Sequence, residues 1–384
     1  MYLERKDLIE DMNSVLMHIK AWMKKEIVLT VAVLLAIISC FWETPKWSYI
    51  DVKVLVLLFN LMVVIAAFKE HLLLDYIAIK LLRRCGSSKQ IGVVLISLTF
   101  IAAMFMTNDV ALITFVPLTL IIGQKLNIIP IKWIVFQTLA ANLGSSLTPM
   151  GNPQNLFVYT YYDIGFSTFL CVTGGIVVVA ALFLGILVGR ERHQEITVNL
   201  EEIYIKDPNK LIVFLILFVI ILSSVVGGMD YRISFLITLV VTILLNRNLL
   251  RKVDYTLLVT FVGFFIFIGN LAAMPAVKEL FQKILSGEGT TYFGGIILSQ
   301  GISNVPAAML LAPFTENWKE LVLGVNIGGM GTLIASLASV ISYKLLVAEH
   351  PKKAKHYFKS FTAYNLLGLV VVIPVGYVLI KWLV

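Results

Sequence analysis

TNDVALITFVP at residues 107–117 and SNVPAAMLLAP at residues 303–313 decide the fold, because each interrupts a long apolar run with polar residues and proline. At an offset of 196 the asparagines (Asn108, Asn304), the alanines (Ala111, Ala307) and the closing prolines (Pro117, Pro313) coincide. Downstream, NLGSSLTPMGNPQN (142–155) meets NIGGMGTLIASLAS (326–339) at an offset of 184, which pairs Asn142 with Asn326, Gly144 with Gly328 and Thr148 with Thr332. The difference of 12 is a shorter connector in the second half. Upstream, Asp51 and Asp254 each precede an apolar span. One polar interruption in a membrane helix is commonly a tolerated kink or a close-packing site. Four interruptions, paired in order across two halves, are the pattern of a repeat protein whose binding site sits at the breaks.

Composition sets the surroundings. Of 384 residues 59% are hydrophobic and 14% charged, and the mean hydropathy is +0.91, more apolar surface than a soluble domain can hide. Apolar runs near 20 residues long must be helical in lipid, which offers backbone groups no partner. The expected fold is therefore an all-α polytopic membrane protein of two inverted repeats, each with a re-entrant hairpin and a broken transmembrane helix, with about nine crossings plus two hairpins. Residues 1–26 read as an interfacial amphipathic segment without a cleavable signal core. The first repeat covers 27–189: scaffold spans in 27–86, a hairpin at 90–123, a broken helix at 133–160 and a span at 167–189. A linker at 190–210 follows. The second repeat covers 211–384: scaffold spans in 211–273, a hairpin at 291–315, a broken helix at 318–343 and a span at 360–382. Segments 70–86 and 275–286 are amphipathic and belong along the interface.

Five crossings separate the two hairpins, so they enter from opposite sides. Placing the amino terminus in the cytoplasm puts 24 of the 31 lysines and arginines on the cytoplasmic side, the asymmetry that orients membrane proteins. The net charge of +8 is explained by that basic face, and no nucleic-acid partner is implied. The three cysteines have no metal or disulfide spacing, and the five histidines lie in or beside charged connectors. An intramembrane enzyme would need a nucleophile and base, or metal ligands, at membrane depth, so no enzymatic activity is expected. A channel would call for a pore-lining filter instead of two hairpins.

A helix broken inside the membrane leaves unpaired N–H groups that attract anions and unpaired carbonyls that can coordinate cations. Thr107, Asn108, Asp109, Ser303 and Asn304 belong at the hairpin tips. Asn142, Gly144, Ser145, Ser146, Thr148 and Pro149 belong at one break, and Asn326, Gly328, Gly329 and Thr332 at the other. Asp109 is the one acidic residue well inside an apolar segment, either a proton carrier or cation ligand or else a helix cap. Its repeat partner is Val305. Asn60, Gln137, Asn270, Gln300 and Asn365 either line the site or bond between helices. Asn152 and Asn155 suit capping of the restarted half-helix, with Pro153 in its first turn.

At the tips and breaks the chain resembles the ion transporter superfamily, which includes divalent anion/sodium symporters, bacterial citrate transporters, arsenite permeases and sodium/proton antiporters. Those dicarboxylate carriers have Ser-Asn-Thr tips, each followed by a Gly/Pro-containing break. Here Thr107-Asn108-Asp109 and Ser303-Asn304-Val305 stand in their place, so both terminal threonines are replaced, and Asn304-Val305-Pro306 is closer to the arsenite permeases. The resemblance implies a dimerising scaffold and a transport domain that moves by an elevator mechanism. It implies substrate contacts from Thr107, Asn108, Asp109, Thr148, Pro149, Ser303, Asn304 and Thr332. It also implies cation contacts from Asn108, Asn142, Gly144, Ser145, Asn304, Asn326, Gly328 and Gly329. The expected function is secondary transport of a small dicarboxylate- or citrate-like anion across the cytoplasmic membrane. Sodium ions or protons would be the coupling ions, with no other cofactor or metal, in a lipid-embedded homodimer. The alternative is proton-coupled efflux of arsenite-like oxyanions, or sodium/proton antiport on the same fold.

Overall fold

The computed structural model describes residues 26–191, 193–195 and 200–383. The interfacial segment expected at 1–26 therefore lies, except for Glu26, outside the described residues. Seventeen helices account for most of the remainder. In the first half they are α1 (Ile27–Ser39), α2 (Val52–Glu70), α3 (Leu73–Leu82), α4 (Ser88–Phe105), α5 (Asn108–Lys125), α6 (Ile131–Gly144), α7 (Pro153–Tyr161) and α8 (Phe166–Gly189). The second half holds α9 (Pro208–Val225), α10 (Tyr231–Asn246), α11 (Tyr255–Ala273), α12 (Pro275–Leu285), α13 (Thr290–Ile302), α14 (Asn304–Leu311), α15 (Trp318–Gly328), α16 (Leu337–Glu349) and α17 (Ala354–Leu383). No strand forms among the described residues. The protein is an all-α, multi-pass membrane protein.

Seven helical stretches among the described residues are long and apolar enough to cross a bilayer. Six of them are spans expected from hydropathy, and the seventh is the hairpin arm α4. The other three expected crossings fall short for identifiable reasons. Helix α1 has 13 residues, and the two broken helices are cut into pieces by their own Gly- and Ser-rich interruptions.

Those interruptions coincide to the residue. Helix α6 stops at Gly144 and α15 at Gly328; the chain resumes as helix at Pro153 in α7 and at Leu337 in α16. Both pairs are separated by 184 positions, the offset at which the two sequences align. Each break contains one short 3-10 turn, Pro149–Gly151 in the first and Leu333–Ala335 in the second. At the second break the chain turns through Gly331 at φ +108°, where an L side chain would be strained.

Contacts divide the chain into two units, Met1–Leu55 with Asp254–Glu279, and Val56–Val253 with Leu280–Val384. In the first unit α1 packs along α11, with Ala32 against Gly263, and Asn270 donates to the Ser39 hydroxyl at 3.0 Å. In the second unit Asn60 of α2 donates to Ser234 of α10 at 3.0 Å, and Phe59 meets Phe235. Gln137 of α6 donates to Thr99 of α4 at 3.1 Å and accepts from Thr119 of α5 at 2.8 Å. Of the polar residues considered for the site, Asn60, Gln137 and Asn270 are thus interhelical ties, each bonded where lipid could not satisfy it. The connector at 200–207 docks on the first half: His71 bonds the Lys206 carbonyl at 2.6 Å, and Arg83 pairs with Glu202. The Tyr204 hydroxyl, and then Arg83, hold the Glu202 carboxyl below its usual range.

The second unit contains both hairpins. Arm α4 packs on α5 and α6; arm α13 packs correspondingly on α14 and α15. The second arms cross over, α5 to α16 of the second half and α14 to α7 of the first. That exchange is the contact pattern of an approximate two-fold axis. The second hairpin is tied at its base by a residue that hydropathy overlooks. Glu320 of α15 is buried, and its carboxylate accepts from the backbone N–H groups of Gly289 at 3.0 Å and Tyr292 at 3.2 Å. It closes the amino-terminal end of α13, where a negative charge is favoured. Replacing Glu320 with alanine leaves two buried N–H groups unpaired. The expected cost is about 2 kcal/mol, measured as a fall in the melting temperature of the purified protein.

Candidate functional site

The site is assembled inside the second unit from two hairpin tips and two breaks. At the first tip α4 ends at Phe105, the extended residues Met106 and Thr107 reverse the chain, and α5 starts at Asn108. At the second tip a single residue, Ser303, makes the reversal with φ +75° and ψ 154°. That conformation belongs to glycine, and holding serine in it costs of order 1–3 kcal/mol. Thr107 occupies the N-cap position of α5, so Asp109 is not the cap; it lies half-buried in the first helical turn, where the helix dipole favours a carboxylate.

The tip asparagines are buried and point into the breaks. Asn108 donates to Asn142 at 3.1 Å and approaches the Ser336 hydroxyl at 3.5 Å. A Cβ placed on Gly329 would meet the Asn304 amide nitrogen at 2.9 Å, so the absence of a side chain there lets the second tip close onto its break.

The asparagines at the two break entrances exchange partners between halves. Asn142 accepts from the Ser336 hydroxyl at 2.9 Å and donates to Ser339 at 3.4 Å and to the Gly329 carbonyl at 3.3 Å. Asn326 accepts from Asn152 at 3.0 Å and donates to Asn155 at 2.6 Å. At the offset of 184, Asn152 corresponds to Ser336 and Asn155 to Ser339. Each half therefore supplies the pair that holds the other half's asparagine, with two amides on one side and two hydroxyls on the other.

The remaining expected residues mostly hold backbone in place. The Thr148 hydroxyl donates to the Met104 carbonyl, and its counterpart Thr332 donates to the Gln300 carbonyl at 2.9 Å. Pro149 is buried and opens the 3-10 turn of the first break. Ser145 and Ser146 donate to the Asn142 carbonyl at 3.0 and 3.1 Å. Gly144 is pressed against the Phe100 carbonyl, and Gly328 against Ser299 and the Gly295 carbonyl. The Ser303 hydroxyl makes long contacts of 3.5 Å, to the Asn304 Oδ1 and the Ala335 carbonyl.

Four helices begin in this cluster: α5 at Asn108, α7 after its cap Asn152, α14 at Asn304 and α16 after Ser336. Asn152 accepts from the Asn155 N–H at 2.8 Å, the capping bond its position implies. Helix amino termini and amide donors attract an anion without a buried lysine or arginine. Ser336 and Ser339 are the members that composition does not single out. The repeat offset would have found the two serines, because it places them opposite Asn152 and Asn155.

A hydroxyl group cluster adjoins the site. Thr138 donates to Ser342 at 2.8 Å, and Ser342 bonds Tyr357 at 2.9 Å, all three buried. Asn365 bonds the Gly331 N–H at 3.4 Å and supports the second break from α17.

Comparison with known proteins agrees with this architecture. The sequence profile of the citrate transporter family, CitMHS, matches residues 15–318. An uncharacterized transporter of Methanocaldococcus jannaschii is 34% identical over 325 residues, covering 83% of this chain and 87% of that one. The inner membrane protein YbiR of Escherichia coli is 29% identical over 345 residues, covering 88% and 90%. A 46 kDa membrane protein of Mycobacterium leprae is 24% identical over 341 residues, covering 77% and 79%. With the profile spanning most of the chain and the paired breaks in place, this protein is a membrane transporter that belongs to the citrate transporter family of the ion transporter superfamily.

Proposed function

We propose that the protein is a secondary active transporter of a small dicarboxylate- or citrate-like anion, coupled to sodium or protons, in the cytoplasmic membrane. The observation that carries this reading is the meeting of four helix amino termini with the amides of Asn108, Asn142, Asn152 and Asn326 in one buried cluster. Carboxylates are held there by the N–H dipoles of the helix starts, while the amides and the hydroxyls of Ser336 and Ser339, bonded to one another, hold those starts in place. The hairpins and breaks move as one body in an elevator-type displacement, and the chain works as a homodimer with its amino terminus in the cytoplasm. The charge asymmetry of the connectors supports that orientation.

The test is uptake into proteoliposomes of labelled succinate, malate and citrate, with sodium and pH gradients imposed separately. Saturable uptake of one of these anions driven by either gradient is the expected result. Gradient-driven proton or sodium flux with no organic anion transported would replace it with the antiport reading.

Asp109 favours a second reading, an efflux carrier of arsenite-like oxyanions or a sodium/proton antiporter. Its position in the first turn of α5 next to Asn108 suits a proton that is taken up and released during the cycle. Asp109→Asn is expected to abolish flux driven by a pH gradient, at least tenfold, while leaving the melting temperature near wild type. Undiminished proton-driven flux in that variant would reduce Asp109 to a favourable charge at a helix end.

A further inference from the structure

Both breaks have a side-chain amide nitrogen standing among carbonyl oxygens. At the first break the Asn155 Nδ2 lies 3.2 Å from the Ser145 carbonyl, 3.2 Å from that of Ser146 and 3.1 Å from that of Thr148. At the second the Gln300 Nε2 lies 2.8 Å from the Gly328 carbonyl, 3.0 Å from that of Met330 and 3.1 Å from that of Ile296. Neighbouring amides add to this: Asn152 also donates to the Ser145 carbonyl at 3.3 Å, and Asn142 to the intervening Gly329 carbonyl at 3.3 Å.

The orientation of each amide follows from its other end. The Asn155 Oδ1 accepts from Asn326 at 2.6 Å, and the Gln300 Oε1 accepts from the Thr332 N–H at 3.0 Å. An amide flipped at either position would set an oxygen against three carbonyls and a nitrogen against a donor, so the nitrogen faces the carbonyls.

We propose that neither break is a sodium site in this protein, because the amides of Asn155 and Gln300 permanently fill the positions among the carbonyls that a cation would occupy. The inference rests on the carrier reading only for its consequence, which is transport that does not require sodium at the breaks. A carbonyl ring left unpaired in a dry interior is costly, and a cation is one way to satisfy it. A covalently tethered NH₂ with two donor hydrogens is another, and it needs no ion to be dehydrated. The two amides are not repeat equivalents. Asn155 aligns with Ser339 and Gln300 with Met104, so each half closes its own break with a residue the other half lacks. The cation contacts expected of Ser145, Gly328 and Gly329 are thereby replaced by hydrogen bonds from within the chain.

Thermal unfolding of the purified full chain in sodium chloride, compared with choline chloride at equal ionic strength, tests this without requiring transport. The wild type is expected to show no sodium-specific shift. Asn155→Ser, which installs the residue used at the equivalent position 339, opens the first ring and is expected to gain a sodium-specific rise of about 3 °C or more. Asn155→Asp keeps the shape and turns the donor into an anion, so it should be destabilised in choline and rescued by sodium. A wild-type sodium shift that Asn155→Ser or Gln300→Met removes would overturn the proposal, as would Asn155 variants indifferent to sodium. A wild-type shift that both variants retain, with the further sodium-specific rise in Asn155→Ser, would place that ion away from the breaks and uphold the proposal. Because no substrate is present, failure of the anion-transport reading leaves this measurement interpretable, and the reverse holds as well.

Discussion

Asn142→Ala is expected to abolish transport, with flux reduced on the order of 100-fold or more, and to lower stability by about 2 kcal/mol. The magnitude follows from what the side chain holds. Its oxygen accepts from Asn108 at 3.1 Å and Ser336 at 2.9 Å, and its nitrogen donates to Gly329 and Ser339. Individual interhelical hydrogen bonds in membranes average about 0.6 kcal/mol, so four bonds and one orphaned buried carbonyl sum to this order. The functional loss exceeds the stability loss because Asn142 joins the first tip to the second half's restarted helix. Without it Asn108 loses its anchor, and the donors around the anion are no longer preorganised. Asn60→Ala provides the comparison, since it removes one interhelical bond to Ser234 far along α2. It should cost about 0.6 kcal/mol and leave flux near wild type. Initial uptake rates at matched protein content, paired with melting curves, separate the two effects. Wild-type flux in Asn142→Ala would remove this residue from the site.

The breaks were legible in the sequence because glycine, serine and proline are expensive in a helix interior and cluster only where the helix is meant to stop. Gly144 and Gly328 mark the two stops directly. The tips were legible for the same reason, through Thr107-Asn108 and Ser303-Asn304 in otherwise apolar runs. What hydropathy could not supply is the exchange of partners. Asn142 meets Ser336 and Asn326 meets Asn152 only because the two halves are related by a two-fold relation in space, and no local property of a serine announces that. Glu320 was missed because it sits two residues inside the start of α15, where a carboxylate looks like ordinary interfacial charge. Its burial comes from the neighbouring end of α13. Gln300 stands out in an apolar run, but its residue type does not decide between lining the site and bonding between helices; the residues that reveal its placement, Gly328 and Met330, are brought to it by the hairpin packing.

Gly144→Ala is expected to be more damaging than its size suggests, and the sign of the effect decides between two physical contributions. In an exposed helix, glycine to alanine stabilises by up to about 1 kcal/mol through backbone entropy. At position 144 the added Cβ would collide with the carbonyl oxygen of Phe100, a backbone atom of α4 with no rotamer to adopt. The arms must separate, and overpacking of this kind costs roughly 1–3 kcal/mol. Sterics therefore outweigh propensity. Because α4 and α6 carry the first tip and the first break, their separation also draws Asn108 from Asn142, so transport should fall at least tenfold together with the melting temperature. Gly324→Ala repeats the experiment in the other half, where the new Cβ would strike the Tyr292 carbonyl between α15 and α13. Gly174 in α8 supplies the opposite case, with no atom within 4 Å of an added Cβ, so Gly174→Ala should be neutral or stabilising. Loss at 144 and 324 with no loss at 174 would establish that the hairpin arms are held by backbone-to-backbone contact at the glycines. Equal tolerance at all three would show that the arms have slack, and that the tips are positioned by their hydrogen bonds alone.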